Sequence, residues 1–168
     1  IVVDDGSKDN TAKIGKEYAD KYPDTFRVIS KENGGHGSTI NCGIRNAVGK
    51  YFKVVDGDDW VNTADFVKLV EDLEKTESEY VFTNYYEYYD DVNRQKTVDF
   101  PQFKDGTEYD FADVANKVYI PMHALVIKTS VLKDNNIVID EKCFYVDVEY
   151  VMFPVPFVNK VTFFDLHV

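Results

Sequence analysis

Tyr51-Phe52-Lys53-Val54-Val55-Asp56-Gly57-Asp58-Asp59-Trp60 is the stretch on which the reading of the fold turns. Residues 51 to 55 have the β-branched and aromatic character of a strand, and they stop at a glycine turn carrying carboxylates at 56, 58 and 59. The same design opens the chain, where Val2 and Val3 run into Asp4-Asp5-Gly6-Ser7. Between the two lie a helix over about residues 10 to 22, marked by Ile14, Tyr18 and Tyr22 with Ala19 beside them, and a strand at Phe26 to Ile29. A second helix is expected over about Ser38 to Val48. After Trp60, Asn62 with Asp65 three residues on reads as a capping box, and Phe66, Leu69, Val70 and Leu73 mark the next helix by their spacing.

Strand and helix thus alternate through the first 75 residues, the order that builds an α/β fold with a mostly parallel sheet and helices on its faces. Beyond that the pattern loosens. Strands are expected at Tyr80 to Tyr86, Thr97 to Phe100, Met122 to Lys128 and Val161 to Phe164. With 168 residues and 44% hydrophobic composition, and no linker or repeat, the chain reads as a single domain. Residues 1 to 80, where the alternation runs, form one half of it, and 81 to 168 a more mixed second half. Because Ile1-Val2-Val3 begins inside an apolar strand, the chain is expected to be a fragment that lacks upstream residues, among them a strand neighbouring this one.

The formal charge of -11, from 30 acidic and 19 basic residues, argues against a nucleic-acid partner, since phosphate backbones are met by clustered Lys and Arg. Cys42 and Cys143 have no paired spacing, so neither a disulfide framework nor a zinc site is indicated. No stretch of the sequence has the run of apolar residues that a membrane-spanning helix needs.

In an open parallel sheet, ligands bind outside the carboxyl ends of the strands. Asp4-Asp5 and Asp56-Asp58-Asp59 are therefore expected to converge. Crowded carboxylates raise one another's pKa unless a positive charge sits among them, and a divalent cation is the natural remedy. Mg²⁺ or Mn²⁺ suits an Asp-x-Asp pair that holds a metal against substrate phosphates. Lys31-Glu32-Asn33-Gly34-Gly35-His36-Gly37 is a glycine loop that lets backbone approach a ligand, and His36 in it is a candidate donor to a phosphate.

Taken together, these segments resemble the family 2 glycosyltransferases of the GT-A fold. The matching pieces are Ile1-Val2-Val3-Asp4-Asp5-Gly6-Ser7 with Asp9 and Thr11, then Glu32-Asn33-Gly34-Gly35, then Asn41 to Ala47 leading to Gly49-Lys50-Tyr51, and Val55 to Trp60. A fainter match is Tyr145-Val146-Asp147-Val148-Glu149-Tyr150, where Val146 stands in place of the family's Glu. The resemblance implies an inverting, metal-dependent transferase that moves a sugar from a nucleotide-sugar, a UDP-sugar by preference, to a glycan or lipid-linked acceptor. It places Asp4, Asp5, Asn33, Gly35, His36 and Asp56 at the donor, with Asp5 on the base and Asp56 by the ribose. Asp58, with Asp59, is the expected metal site, and Asp147 the expected base, with Glu149 its nearest competitor. His123 is expected to border the acceptor. The same resemblance implies cell-surface polysaccharide synthesis in the cytoplasm, with the parent protein peripherally associated with the inner face of the membrane. A catalytically inactive metal- or ligand-binding module of the same fold is the alternative reading of these residues.

Overall fold

The computed structural model describes residues 1–168. Strand β1 (Val2–Asp4) leads through helix α1 (Thr11–Lys21) to β2 (Val28–Ser30), which pairs with β1 in parallel, as a helical crossover requires. Helix α2 (His36–Asn46), the short β3 (Tyr51–Phe52) and α3 (Thr63–Lys75) complete the expected alternation. Asn62 caps α3, its Oδ1 accepting from the backbone N–H of Ala64 and Asp65, whereas Asp65, expected to complete a capping box, accepts from the His167 N–H instead.

The second half supplies β4 (Tyr80–Tyr89), β5 (Arg94–Val98), β6 (Thr107–Asp110), α4 (Phe111–Ala115), β7 (Leu125–Lys128), α5 (Thr129–Asp134), α6 (Val146–Met152) and β8 (Lys160–His167). Residues Met122–Ala124, expected as strand, form a 3-10 turn before β7.

The fold is α/β with a sheet flanked by helices, but the sheet is mixed rather than mostly parallel. Its order is β3-β7-β4-β8-β6, with β5 paired to β4, and only β4–β8 in it is parallel. The antiparallel β4–β5 pair follows from their short connection, which permits no crossover. β1 and β2 stand as a separate pair. A cleft of about 690 Å³ lies between β1 and β3, lined by Ile1, Val3, Ile40, Phe52 and Val54 and reaching His36 and Asp56. It separates two strand edges that have no partner on that side.

The core gathers on one face of the six-stranded sheet, where Tyr80, Phe82, Leu125, Ile127 and Phe163 meet Ile40, Ile44, Leu132 and Tyr150 from the helices. A smaller cluster of Leu69, Val81, Val126 and Phe164 seats α3 on the other face. On α1 the expected apolar face is reversed. Ile14, Tyr18 and Tyr22 are exposed, and the helix packs instead through Ala12, Gly15 and Ala19. The reason is the close approach to the strands, for a Cβ at Gly15 would stand 3.2 Å from Val28 and 3.6 Å from Val2.

Candidate active site

Strand β3 is regular only at Tyr51–Phe52, but the chain stays extended to Asp56 and then closes a turn, with Asp59 N–H donating to Asp56 C=O at 3.1 Å. In a turn of this kind residues i and i+3 come together while i+2 sits at the tip. Asp56 and Asp59 therefore share one side, and Asp58 stands exposed without a hydrogen bond or ion pair.

Two histidines reach the Asp56 carboxylate from different elements. His36 Nε2, from the first turn of α2, is 3.0 Å from Asp56 Oδ1. His123 Nε2, from the 3-10 turn before β7, is 3.6 Å from Asp56 Oδ2 and 3.6 Å from Asp59 Oδ2, the reach of an ion pair rather than of a hydrogen bond. The His123 imidazole beside it holds the Asp56 carboxyl below its usual range; partial burial opposes this and the His36 charge adds to it. In return Asp56 raises the pKa of His123 against the desolvation that would lower it. Lys53 donates its Nζ to the His123 carbonyl, so the residue three before Asp56 on the same strand end also fixes the loop that carries His123.

A second cluster adjoins the first through Gly35-His36. The Asp5 carboxylate accepts from Lys31 Nζ at 2.5 Å and from the backbone N–H groups of Gly34 and Gly35 at 3.0 and 2.8 Å. Burial pushes the Asp5 pKa up, yet these donors outweigh it and hold the carboxyl below its ordinary value. Asn33 Nδ2 donates to the Asp5 carbonyl. Asp5 thereby clamps the glycine loop, with Gly35 at φ 82 where a side chain would be strained. Asp4 is 4% exposed and accepts from the Ser7 N–H, which fixes the turn after β1 and turns its carboxylate away from solvent.

Asp147 lies in the first turn of α6, half buried, and with His36, Asp56 and His123 it lines a cleft of about 240 Å³. Its helix is capped by Tyr145 in the left-handed region, without a side-chain cap, so Asp147 is free of that duty. Glu149, two residues on, is engaged elsewhere: its Oε2 accepts from the Asp140 N–H at 2.8 Å. Of the aromatic residues that flank Asp147, Tyr150 is fully buried while Tyr145 stands 80% exposed beside the cleft.

What brings α6 to this place is α2. Asn41, buried, donates to Ile139 C=O and accepts from Ile139 N–H, at 2.8 and 2.9 Å. Gly37 lets the two segments touch, since a Cβ there would fall 1.9 Å from Asp140 O. Lys142 N–H also donates to Gly34 C=O. The structure thus unites His36, Asp56 and Asp147 around one opening, places Asp5, Asn33 and Gly35 in the loop beside it, keeps Asp59 near His123 but off the cleft lining, and leaves Asp58 outside. Lys53 and Asn41 are the working residues that pattern reading did not assign, while His123, expected to border the acceptor, lies within ion-pair reach of Asp56 and Asp59. Only Asn41 carried a signal, a polar residue on the inward face of an apolar helix.

The glycosyl transferase family 2 model matches residues 1–135. The chain belongs to this family. Among its relatives, the uncharacterized glycosyltransferase EpsJ of Bacillus subtilis is 41% identical over 86 residues, which are 51% of this chain and 25% of that protein. The minor teichoic acid biosynthesis protein GgaB of Bacillus subtilis is 37% identical over 79 residues, 47% of this chain and 9% of that one. The dolichyl-phosphate beta-glucosyltransferase ALG5D of Trichomonas vaginalis is 37% identical over 75 residues, 45% of this chain and 23% of that one. The chain accordingly spans a quarter or less of these relatives. In fold it superposes on S. aureus TarS 1-349 in complex with UDP-GlcNAc with a TM-score of 0.75 at 22% identity, over 98% of this chain and 46% of that one. This likeness shows the GT-A fold. No helix of the chain is long and apolar enough to cross a membrane.

Proposed function

We propose that this family 2 glycosyltransferase is the donor-binding and catalytic core of an inverting enzyme that transfers a sugar from a UDP-sugar to a hydroxyl of a glycan or lipid-linked acceptor. The single observation that carries the reading is the shared cleft of Asp147 and Asp56, residues far apart in the chain that face one opening with no other acceptor or donor committed to Asp147. The donor type is drawn from TarS, whose structures hold UDP-GlcNAc and UDP, and the cell-surface setting from GgaB. A cytoplasmic site at the inner face of the membrane completes the proposal.

Direct inversion requires the acceptor oxygen to attack the anomeric carbon as the bond to the diphosphate breaks, with the electron pair leaving on the phosphate oxygen. Asp147 takes the acceptor's proton in that step. Asp56 lies by the ribose, and His36, an exposed donor at the start of α2, faces the phosphates. The clamp of Asp5 on Gly34 and Gly35 holds the loop from which His36 projects. Mg²⁺ or Mn²⁺ fits the strand end, because two carboxylate oxygens and an imidazole nitrogen lie within 4.8 Å of one another. When bound, such a cation offsets the charge gathering on the leaving diphosphate.

The test is to incubate the chain with UDP-, GDP- and dTDP-sugars and Mn²⁺ and to follow release of the nucleoside diphosphate, with Asp147→Asn as the blank. Release from a UDP-sugar that falls to the blank level in the variant supports the reading. Release from none of the three classes, or equal release by the variant, refutes it.

A further inference from the structure

We propose that the acceptor of this chain is a neutral sugar, one ring of which lies against Tyr145 and Phe144 in the cleft that holds Asp147, rather than a lipid phosphate. The role of the sugar as acceptor rests on the transferase reading above, whereas the subsite rests on the cleft itself. Tyr145 and Phe144 both line that cleft, and they stand 80% and 90% exposed. A pyranose matches such rings, because its axial C–H groups make an apolar face that lies flat on an aromatic surface while its hydroxyls point to the rim. Asp147, His36 and His123 supply the rim with polar atoms. The cleft, at about 240 Å³, falls below the roughly 300–1,000 Å³ of sites that take drug-sized ligands, which suits a single ring.

The aromatic wall is held in place at a cost. Tyr145 at φ 65 and Lys142 at φ 59 lie in the left-handed region, which residues with side chains adopt only where their surroundings impose it. Here the surroundings are the glycine loop and α6. Lys142 N–H donates to Gly34 C=O at 3.2 Å, and the Tyr145 carbonyl accepts from Val148 N–H at 3.1 Å. A ring seated on this wall is therefore fixed relative to the loop that Asp5 clamps. Charge decides against a phosphate. The lining of the cleft contains Asp56 and Asp147 and neither lysine nor arginine. Lys53 spends its Nζ on the His123 carbonyl, and both histidines face the Asp56 carboxylate. Lys142, the one cation of the loop, is exposed and outside the lining. A phosphate in the cleft would meet two carboxylates with no free cation to offset them, whereas a neutral hydroxyl meets no such repulsion.

Methyl glycosides of glucose, galactose and N-acetylglucosamine are added to the chain without a donor, and binding is followed by saturation-transfer NMR, with circular dichroism of every variant as the check of folding. Farnesyl phosphate, a short lipid phosphate, serves as the competitor. At least one glycoside is expected to bind through the C–H groups of one ring face, and farnesyl phosphate does not displace it. Tyr145→Ala weakens that binding about tenfold, whereas Tyr145→Phe keeps the ring and the affinity. Tyr22→Ala, which removes an exposed ring of α1 outside the cleft, leaves binding unchanged. Binding of no glycoside, displacement by farnesyl phosphate, equal binding by folded Tyr145→Ala, or a loss as large in Tyr22→Ala overturns the subsite. Transfer assays with a UDP-sugar keep the two readings apart. Glycoside binding with the expected variant pattern but no release of UDP sustains the sugar subsite and sinks the transferase reading. Transfer to farnesyl phosphate and to no glycoside sustains the transferase reading and sinks the subsite.

Discussion

Gly37→Ala should separate the scaffold of this site from its chemistry. The new Cβ would meet Asp140 O at 1.9 Å, and since such contacts are essentially never seen below 3.0 Å, α2 and the 139–141 segment must part by about 1.1 Å. Asp140 O is backbone, so no flexible side chain can absorb the change. The two Asn41–Ile139 hydrogen bonds, now 2.8 and 2.9 Å, then stretch beyond bonding range. Overpacking costs about 1–3 kcal/mol, and each buried bond lost adds about 0.5–1.5 kcal/mol. The sum of about 2–6 kcal/mol lowers the melting temperature of a chain this size by roughly 4 to 24 °C. Because the 139–141 segment leads into α6, Asp147 also moves relative to Asp56. A displacement of about 1 Å at a reacting group costs on the order of 100-fold in rate. Differential scanning calorimetry and the transfer assay, run well below the melting point, read the two effects. Gly49→Ala, whose Cβ would meet only Tyr51 O at 3.5 Å, is the control expected to change neither. A Gly37→Ala protein that melts with the parent and turns over at its rate would refute the account of how α6 is placed.

Asp147→Asn should keep UDP affinity yet lose transfer by about two orders of magnitude or more, whereas Glu149→Gln, whose carboxylate holds the Asp140 N–H, should lose stability and far less rate; the reverse ranking in steady-state assays moves the base to Glu149. The lowered pKa of Asp5 means that its folded form binds a proton less readily than the unfolded chain does. Its contribution to stability is therefore complete above the ordinary value of 3.8 and is lost as pH falls through the lower folded value. Denaturant melts from pH 5 to pH 2 should show a steeper loss in the parent than in Asp5→Asn, and parallel curves would contradict the clamp. A strand-forming segment fused ahead of Ile1 can pair with the open edges of β1 and β3, so it should raise the melting temperature; an unchanged value would show that the cleft between them takes no strand.

Much of the first half was legible because its signals are local. The apolar run stopping at Asp4-Asp5 marks the end of β1 and the Asn62 cap the start of α3, whereas β3 ends at Phe52, short of the run that stops at Asp56. Misreadings arose where packing overrode pattern. On α1 the large residues Ile14, Tyr18 and Tyr22 looked like the buried face, but only Gly15 and its small neighbours allow the helix to lie close on Val2 and Val28. Residues 107–110, 111–115 and 129–134 form elements too short for periodicity to declare. The mixed direction of the sheet was hidden for a related reason, since β3 pairs with β7 more than 70 residues away and nothing local encodes that partner.

In the site, residue types were readable and duties less so. Asp5, a donor contact by resemblance, spends its hydrogen-bonding capacity on Lys31, Gly34 and Gly35. The convergence of His123 on Asp56 and Asp59 depends on a 3-10 turn where a strand was expected. Asp147 follows from the resemblance of residues 145–150, but its freedom from capping and the engagement of Glu149 are facts of three-dimensional placement.

The central claim, that this cleft binds a nucleoside diphosphate beside Asp56, is tested most directly by calorimetric titration of UDP into the chain with and without Mn²⁺. One UDP is expected to bind per chain in a manganese-dependent manner, and binding is expected to be lost in Asp56→Asn. Manganese uptake with no UDP heat, or UDP binding that Asp56→Asn leaves untouched, would contradict it.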